Sequence, residues 1–356
     1  MRHTPESASF LAILCLLVSS GLSVSPGLCL STVSWDGRSV TLATATTPQP
    51  AAERECLAHL VSPMILYADV YDSWSQEITR DILSNANRYV INTVRRPSGY
   101  LVTLNYHQLI RDLVTLLFGE ITPRVAVIAE EEIVRRRVFD PAVETEANRQ
   151  LVEYGFQTVD MCTSEEAKWR EYLLQAIDGD QKMLTWAQTE LEADCILWGC
   201  GLAVETPAGG AEVRTEVKTI EVATGRVLGA EAETSSRRSA TLEIAAKQAL
   251  QDATRKAMPK LVASMLNAFG KPIHRVRLWD VRSVSDVTAV KRGIEGSIPG
   301  SKVKVSSMDV RAGRVAVLEV AVKCSAADLA EAMEELRSPR VQVMSINCRS
   351  LVARLF

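Results

Sequence analysis

A chain of 356 residues has room for about two or three domains of ~100–200 residues each. Lys and Arg total 40 and Asp and Glu 43, a formal net charge of −3, which gives no electrostatic reason to expect nucleic acid among the partners. Eight cysteines are dispersed and the four histidines, His3, His59, His107 and His274, stand far apart; no zinc-type spacing results, and neither a metal nor a cofactor is expected.

Phe10 to Val18, FLAILCLLV, is an apolar run placed as a signal-peptide core, with Arg2 before it. It falls short of the ~20 residues that a membrane-spanning helix needs. Residues 1–27 are therefore expected to direct export, giving a periplasmic or outer-membrane-associated protein. Cys15 and Cys29 each follow a leucine, a poor context for lipidation. Residues 28–58, rich in Thr, Ala, Ser and Pro, read as a loose leader or linker.

Residues 59–121 read as helical. Ile78, Ile82, Ala86, Tyr89 and Val90 recur at helical spacing until Arg95 to Gly99 breaks the run at Pro97. Asn105 can cap a second helix that ends at Gly119.

Residues 122–271 carry the clearest punctuation. PRVAVIAEEE is an apolar strand. Asp140 reads as an N-cap with Pro141 at the first helical position, and Gly155 closes that helix. QTVDMC is a second strand. Thr163 and Glu166 have capping-box spacing before the next helix, and Gly179-Asp180 divides it from another. Cys195 to Val204 is apolar nearly throughout, as a strand covered on both faces would be. Cys195 and Cys200 then point to opposite faces, which disfavours a disulfide between them. Val213 to Val222 alternates, with Val213, Thr215 and Val217 opposed to Arg214, Glu216 and Lys218, and slips near Thr219-Ile220, where a bulge is expected. A turn at Thr224-Gly225 leads into its partner strand. Ser239 starts a long helix with an Ala-rich stripe, which Pro259 should kink or end.

Residues 272–356 follow the order β-α-β-β-α-β of a ferredoxin-like unit. Ile273 to Asp280 is a strand, Ser285 caps a helix, Lys302 to Val322 is a hairpin, Ser325 caps a second helix, and VQVMSINC is the last strand. The fold class expected is α/β: a helical N-terminal region, a central α/β sandwich and a C-terminal α+β unit.

Catalytic machinery is hard to find. No Gly-x-Ser-x-Gly elbow occurs and no Ser or Cys has a nearby His. Asp178-Gly179-Asp180 lacks the alternate ligands of a calcium loop and reads as a helix–helix turn. The most unusual local composition is Glu130, Glu131 and Glu132 followed by Arg135, Arg136 and Arg137. As a loop, these six would be a solvated, self-balancing surface. They also lie at the C-terminal end of a strand, where α/β sheets place binding sites. They are the candidate partner-contact residues.

RVAVI, LVEYGFQTVD, ADCILWGCGLAVE, VKTIEVATGRVLGAEAET and the Ala-rich helix, over residues 123–269, together resemble the N-terminal domain of the Tol-system propeller protein. The periplasmic domain of the curli secretion channel and the middle domain of flagellar assembly protein T are similar. The features that carry this are Ala193-Asp194 before an apolar strand, Thr224 to Leu228 in the hairpin, and Asp140 to Glu146 at a helix start. The resemblance implies an envelope protein that builds or regulates assemblies, without catalysis, whose partners are other envelope proteins, the outer membrane or cell wall, or a second copy of itself. It extends to activators of penicillin-binding proteins, so regulation of a cell-wall synthesis enzyme is an alternative. A small-ligand binder or enzyme using Glu130 to Arg137 is another.

Overall fold

A computed structural model describes residues 30–65, 72–119, 121–138, 140–159, 166–207, 209–271, 273–311, 314–322 and 324–356. The export segment and Thr163 of the expected capping box lie outside these residues. The α/β class holds, with three sheets among the described residues.

The expected leader is folded. β1 (Ser31–Trp35) and β2 (Ser39–Thr44) form a hairpin, and α1 (Gln49–Ile65) follows. Val40, Leu42 and Thr44 point inward at period two, so the Thr-rich composition reflects β-propensity and not looseness. The expected run of helix after residue 74 also breaks early. α2 (Asp72–Ser84) gives way to a short turn and then to β3 (Val90–Arg96) and β4 (Gly99–Asn105). Pro97-Ser98 is the hairpin turn between two strands, not the break between two helices. The first sheet has the order β1-β2-β4-β3. α3 (Tyr106–Phe118) is capped by the Asn105 side chain and ends at Gly119, as expected.

The middle sheet contains β5 (Arg124–Ile133), β6 (Arg136–Arg137), β7 (Gln157–Thr158), β8 (Cys195–Thr206), β9 (Gly210–Glu221) and β10 (Val227–Arg237). Its order is β10-β9-β8-β5-β6, with β7 parallel to the start of β5. β5 and β8 run parallel, and the rest pair antiparallel. The expected bulge is present on the partner strand: Leu228 is the extra residue between Val227 and Gly229, opposite Ile220 and Thr219.

α4 (Ala142–Tyr154) and α7 (Leu242–Phe269) cover one face of this sheet; α5 (Glu166–Ile177) and α6 (Gln181–Thr189) cover part of the other. Pro141, not Asp140, occupies the N-cap position of α4, without a side-chain cap. Thr241, not Ser239, caps α7. Pro259 neither ends nor interrupts α7. The first hairpin covers the backbone that proline leaves short: Trp35 Nε1 donates to the Lys256 carbonyl at 3.3 Å, and a Cβ on Gly37 would lie 2.8 Å from the Arg255 carbonyl oxygen, the group whose helical donor proline removes. α7 thus sits in one core shared by the first two sheets.

The third sheet holds β11 (Ile273–Trp279), β12 (Lys302–Asp309), β13 (Val315–Ala321), β14 (Val341–Ile346) and β15 (Ser350–Leu355), in the order β12-β13-β11-β15-β14. α8 (Val284–Ser297) is capped by Ser283, not Ser285, and α9 (Ala326–Glu334) by Ser325 as expected. The split β-α-β half of a ferredoxin-like unit is present, with β13 between β11 and β12. The other half departs from it, because β15 inserts beside β11 and runs parallel to it, pushing β14 to the edge.

Candidate functional site

Glu130 to Glu132 lie inside β5, not in a loop after it, so their side chains alternate. Glu131 turns inward at 2% exposure. Its Oε1 accepts the Val143 N–H at the start of α4, which explains how that helix does without an N-cap side chain: the cap comes from the neighbouring strand. Burial raises the Glu131 pKa above the usual carboxylate value, while the Val143 and Ala142 amides and Lys247 pull against it.

Glu130 and Glu132 point the other way. β5 returns into β6 through Val134 and Arg135, at φ of 48° and 62°, the two-residue turn that matches strand twist but normally takes Asn and Gly. Arg137 returns beside Glu130 and bonds its Oε1 at 3.1 Å. Arg135 and Arg136 are exposed and have no ion pair among the described residues. The structure therefore divides the six candidates. Glu131 is internal, Glu130 and Arg137 balance one another, Glu132 is exposed, and Arg135 and Arg136 form a cationic tip.

Between β7 and β6 the free edge of β5 would expose Ala129. Its N–H is taken by Glu144 at 3.0 Å and its carbonyl by Arg170 at 2.7 Å, and those two side chains pair at 3.0 Å. This replacement for a neighbouring strand was not foreseen, because α4 and α5 meet only in the fold.

The second omission lies along β8. Gly199, Gly201 and Ala203 face the helices. A Cβ on Gly199 would meet Val143 at 2.7 Å, and one on Gly201 would meet Leu250 at 2.9 Å, so glycine lets α4 and α7 seat closely. The opposite face carries Trp198, Cys200, Leu202 and Val204. Trp198 is partly covered by α5 and α6, and Lys218 lies 4.9 Å from its ring centroid. Beyond it the cover stops. Leu202 is 48% exposed and Val204 58%. The expectation of a strand covered on both faces therefore fails over its second half. The open strip is flanked on β9 by Arg214 and Glu216, which pair at 2.6 Å, and on β5 by Glu130 and Glu132. The small-large alternation of Gly-Cys-Gly-Leu-Ala-Val is the signal that could have revealed it.

A separate open cleft of about 480 Å³ is lined by Asp36, Arg38, Arg149 and Arg255, and by none of the six candidates. Its guanidinium groups already have carboxylate partners: Arg38 with Glu153 at 3.7 Å, Arg149 with Glu146, and Arg255 with Asp252 at 3.0 Å. No helix among the described residues is long and apolar enough to cross a membrane.

No protein-family model and no curated protein matches the chain. Among solved structures, it is similar to the PelC dodecamer from Paraburkholderia phytofirmans, over 41% of this chain and 88% of that one, at 14% identity and a TM-score of 0.26. It is similar to lipoprotein GNA1162 from Neisseria meningitidis over 32% of this chain and 83% of that one, at 13% identity and a TM-score of 0.25. It is also similar to the LpoB C-terminal domain from Salmonella enterica over 36% of this chain and 97% of that one, at 12% identity and a TM-score of 0.21. Likenesses of this size assign neither a role nor a partner.

Proposed function

We propose that this chain is an exported, non-enzymatic protein of the bacterial envelope that docks another envelope protein on the open half of its middle sheet, as an assembly or scaffolding factor. One observation carries the docking reading: Leu202 and Val204 stand in solvent between charged rows, next to the exposed Arg135 and Arg136, which have no ion pair among the described residues. An apolar strip with a charged rim is the anatomy of a protein interface. Export rests on the apolar run from Phe10 to Val18. Regulation of a cell-wall synthesis enzyme is a special case of the same reading, in which that enzyme is the docked partner. A ligand-binding or catalytic role for Glu130 to Arg137 has less support, since Glu131 turns inward while its neighbours turn outward.

The test is site-specific photo-crosslinking in the source cells. A crosslinker at Leu202 or Val204 should give a discrete adduct with an envelope protein. One at Val284, which is equally exposed on α8, should not. Arg135→Glu with Arg136→Glu should reduce the adduct at least severalfold. Equal labelling at all three positions would refute the docking site, and recovery of the chain in the cytosol with an intact N-terminus would refute export.

A further inference from the structure

The outer edge of β10 is the one long edge in the molecule's described sheets that no bulge interrupts over most of its length. β10 pairs with β9 and with no other strand among the described residues. Among the described residues no turn or loop backbone hydrogen bond reaches its outward amides and carbonyls. Each of the other long edge strands is interrupted by a register shift: β1 at Thr32/Ser34, β3 at Val90/Asn92, β12 at Val305/Ser307 and β14 at Val343/Ser345. β6 is only Arg136–Arg137. Bulges and short strands are the usual means of preventing edge-to-edge pairing. The one bulge of β10 lies at its start, at Leu228, and leaves Gly229 to Arg237 regular. That stretch contains no proline or lysine, and its exposed face bears only Ala230, Ala232, Thr234 and Ser236.

We propose that β10 pairs antiparallel with β10 of a second copy about a two-fold axis at Thr234, joining two middle sheets into one. Charge complementarity favours a second copy as the occupant, and charge together with ladder length selects the register. Outward backbone groups alternate along a strand, so identical antiparallel strands align only when the axis passes through a residue, not between two. Centred on Glu231 or Glu233, a carboxylate faces itself. Centred on Ala232, Glu231 faces Glu233 of the second copy. Centred on Ala230 or earlier, the bulge enters the ladder. Centred on Thr234, Glu231 faces Arg237 of the second copy, and pairing runs from Glu231 to Arg237. Centred on Ser235, Glu233 faces Arg237 of the second copy, but the ladder shortens to Glu233 to Arg237 and leaves Glu231 outside it.

The two side chains that meet are suited to one another. Glu231 Oε2 is buried with no hydrogen-bond partner among the described residues, the Lys260 ammonium standing 3.6 Å away. Arg237 is half-exposed and uses its Nε on Asp252, which leaves the rest of its fork to face the carboxylate. Directly opposed residues lie ~5 Å apart at Cβ, within reach of an arginine. The surface is distinct from the open strip on β8, so this inference does not depend on the docking reading.

The test is disulfide trapping in the full-length chain. With the axis at Thr234, the Cα atoms of two Thr234→Cys residues lie ~4.5–5.5 Å apart, within disulfide range. Two Ala230→Cys residues do not meet. Under mild oxidation Thr234→Cys should convert largely to a covalent dimer. Ala230→Cys should stay at the wild-type level set by the native thiols. Sedimentation velocity on the wild type should show reversible dimers across the micromolar range, lost in Arg237→Glu. A Thr234→Cys yield no greater than that of Ala230→Cys would overturn the proposal. So would a monomer throughout, as expected if β10 receives a strand from a different protein.

Discussion

Replacing Arg277 should loosen the attachment of the third sheet to the rest of the molecule. Arg277 projects from β11 into the middle domain at 1% exposure. It donates to Thr185 Oγ1 and the Ala223 carbonyl, both at 2.6 Å, and to the Val222 carbonyl at 3.2 Å. No carboxylate is among these partners, and burial lowers its pKa to about 10, so it remains charged at neutral pH. Arg277→Ala would leave two buried carbonyls dry, at about 1–3 kcal/mol each. No longer burying a guanidinium offsets part of that. The gross cost is thus about 2–6 kcal/mol, and after that offset the net loss should be about 2–4 kcal/mol. Arg277→Lys should lose nearly as much, because a point ammonium cannot span Thr185 and both carbonyls. Urea unfolding gives the magnitude. Hydrogen exchange gives the location, with lost protection in β11 and around Val222. A loss below about 1 kcal/mol, typical of a surface site, or unchanged exchange in β11, would refute the reasoning.

The acidic run should behave as three different residues. Glu131→Ala removes the cap from α4 and should cost about 1–2 kcal/mol, while Glu130→Ala and Glu132→Ala should stay within about 0.5 kcal/mol in thermal or urea melts. Val134→Asn with Arg135→Gly relieves positive φ at both turn positions and should raise stability by about 1–2 kcal/mol; a fall would show that the turn is held by something other than its backbone preference. The pH profile contains two opposed contributions. Burial raises Asp194 to about 6, so its contribution is full at low pH and is lost as pH rises through that value. Burial lowers His274 to about 4, so its contribution is full above its ordinary value of 6.5 and is lost as pH falls toward 4. Each is about 3 kcal/mol by linkage, and they nearly cancel. Asp194→Asn should unmask a stability that rises with pH from 4 to 6.5, measured by urea midpoints; a profile parallel to the wild type would count against it.

Legibility followed the range of the information. Local signals mostly held: Asn105, Gly155, Gly179-Asp180 and Ser325 each mark a helix end that the structure contains, while Ser239 and Ser285 lie two residues from the true caps, Thr241 and Ser283. Signals that depend on a distant neighbour did not. Pro259 should stop a helix taken alone, but the buried α7 continues with Trp35 and Gly37 set against its backbone. Asp140 is a good cap by sequence, yet Glu131 serves the helix from a neighbouring strand. The first sheet was missed because composition was read and alternation was not. β1 and β2 resemble a linker in Thr and Ser content, although Val40, Leu42 and Thr44 alternate inward. At the candidate site the unusual residues were visible, but their directions required knowing that β5 extends to Ile133.

The middle sheet has two ends of different character, and this allows the docking reading to be separated from fold integrity. At the start of β8, Asp194 accepts from the Arg124 amide at 3.0 Å and from Ser350 of the third sheet at 3.3 Å, and Arg277 enters nearby. Polar groups there are committed to one another. At the far end of the same strand Leu202 and Val204, with Arg135 and Arg136 of the β5–β6 hairpin, have no such commitment among the described residues. The register from Val125↔Cys195 to Ile133↔Ala203 places these ends about 26 Å apart, at 3.3 Å per residue, and the strand between them is held by α4 and α7 through Gly199 and Gly201. Loosening the near end should therefore leave the far end intact. Arg277→Ala should lower stability yet retain crosslinking at Leu202 within about twofold of wild type under folding conditions, since well-separated sites act independently. Loss of the adduct in a folded Arg277→Ala protein would place the third sheet in the docking surface, and the open half of β8 would no longer account for it alone.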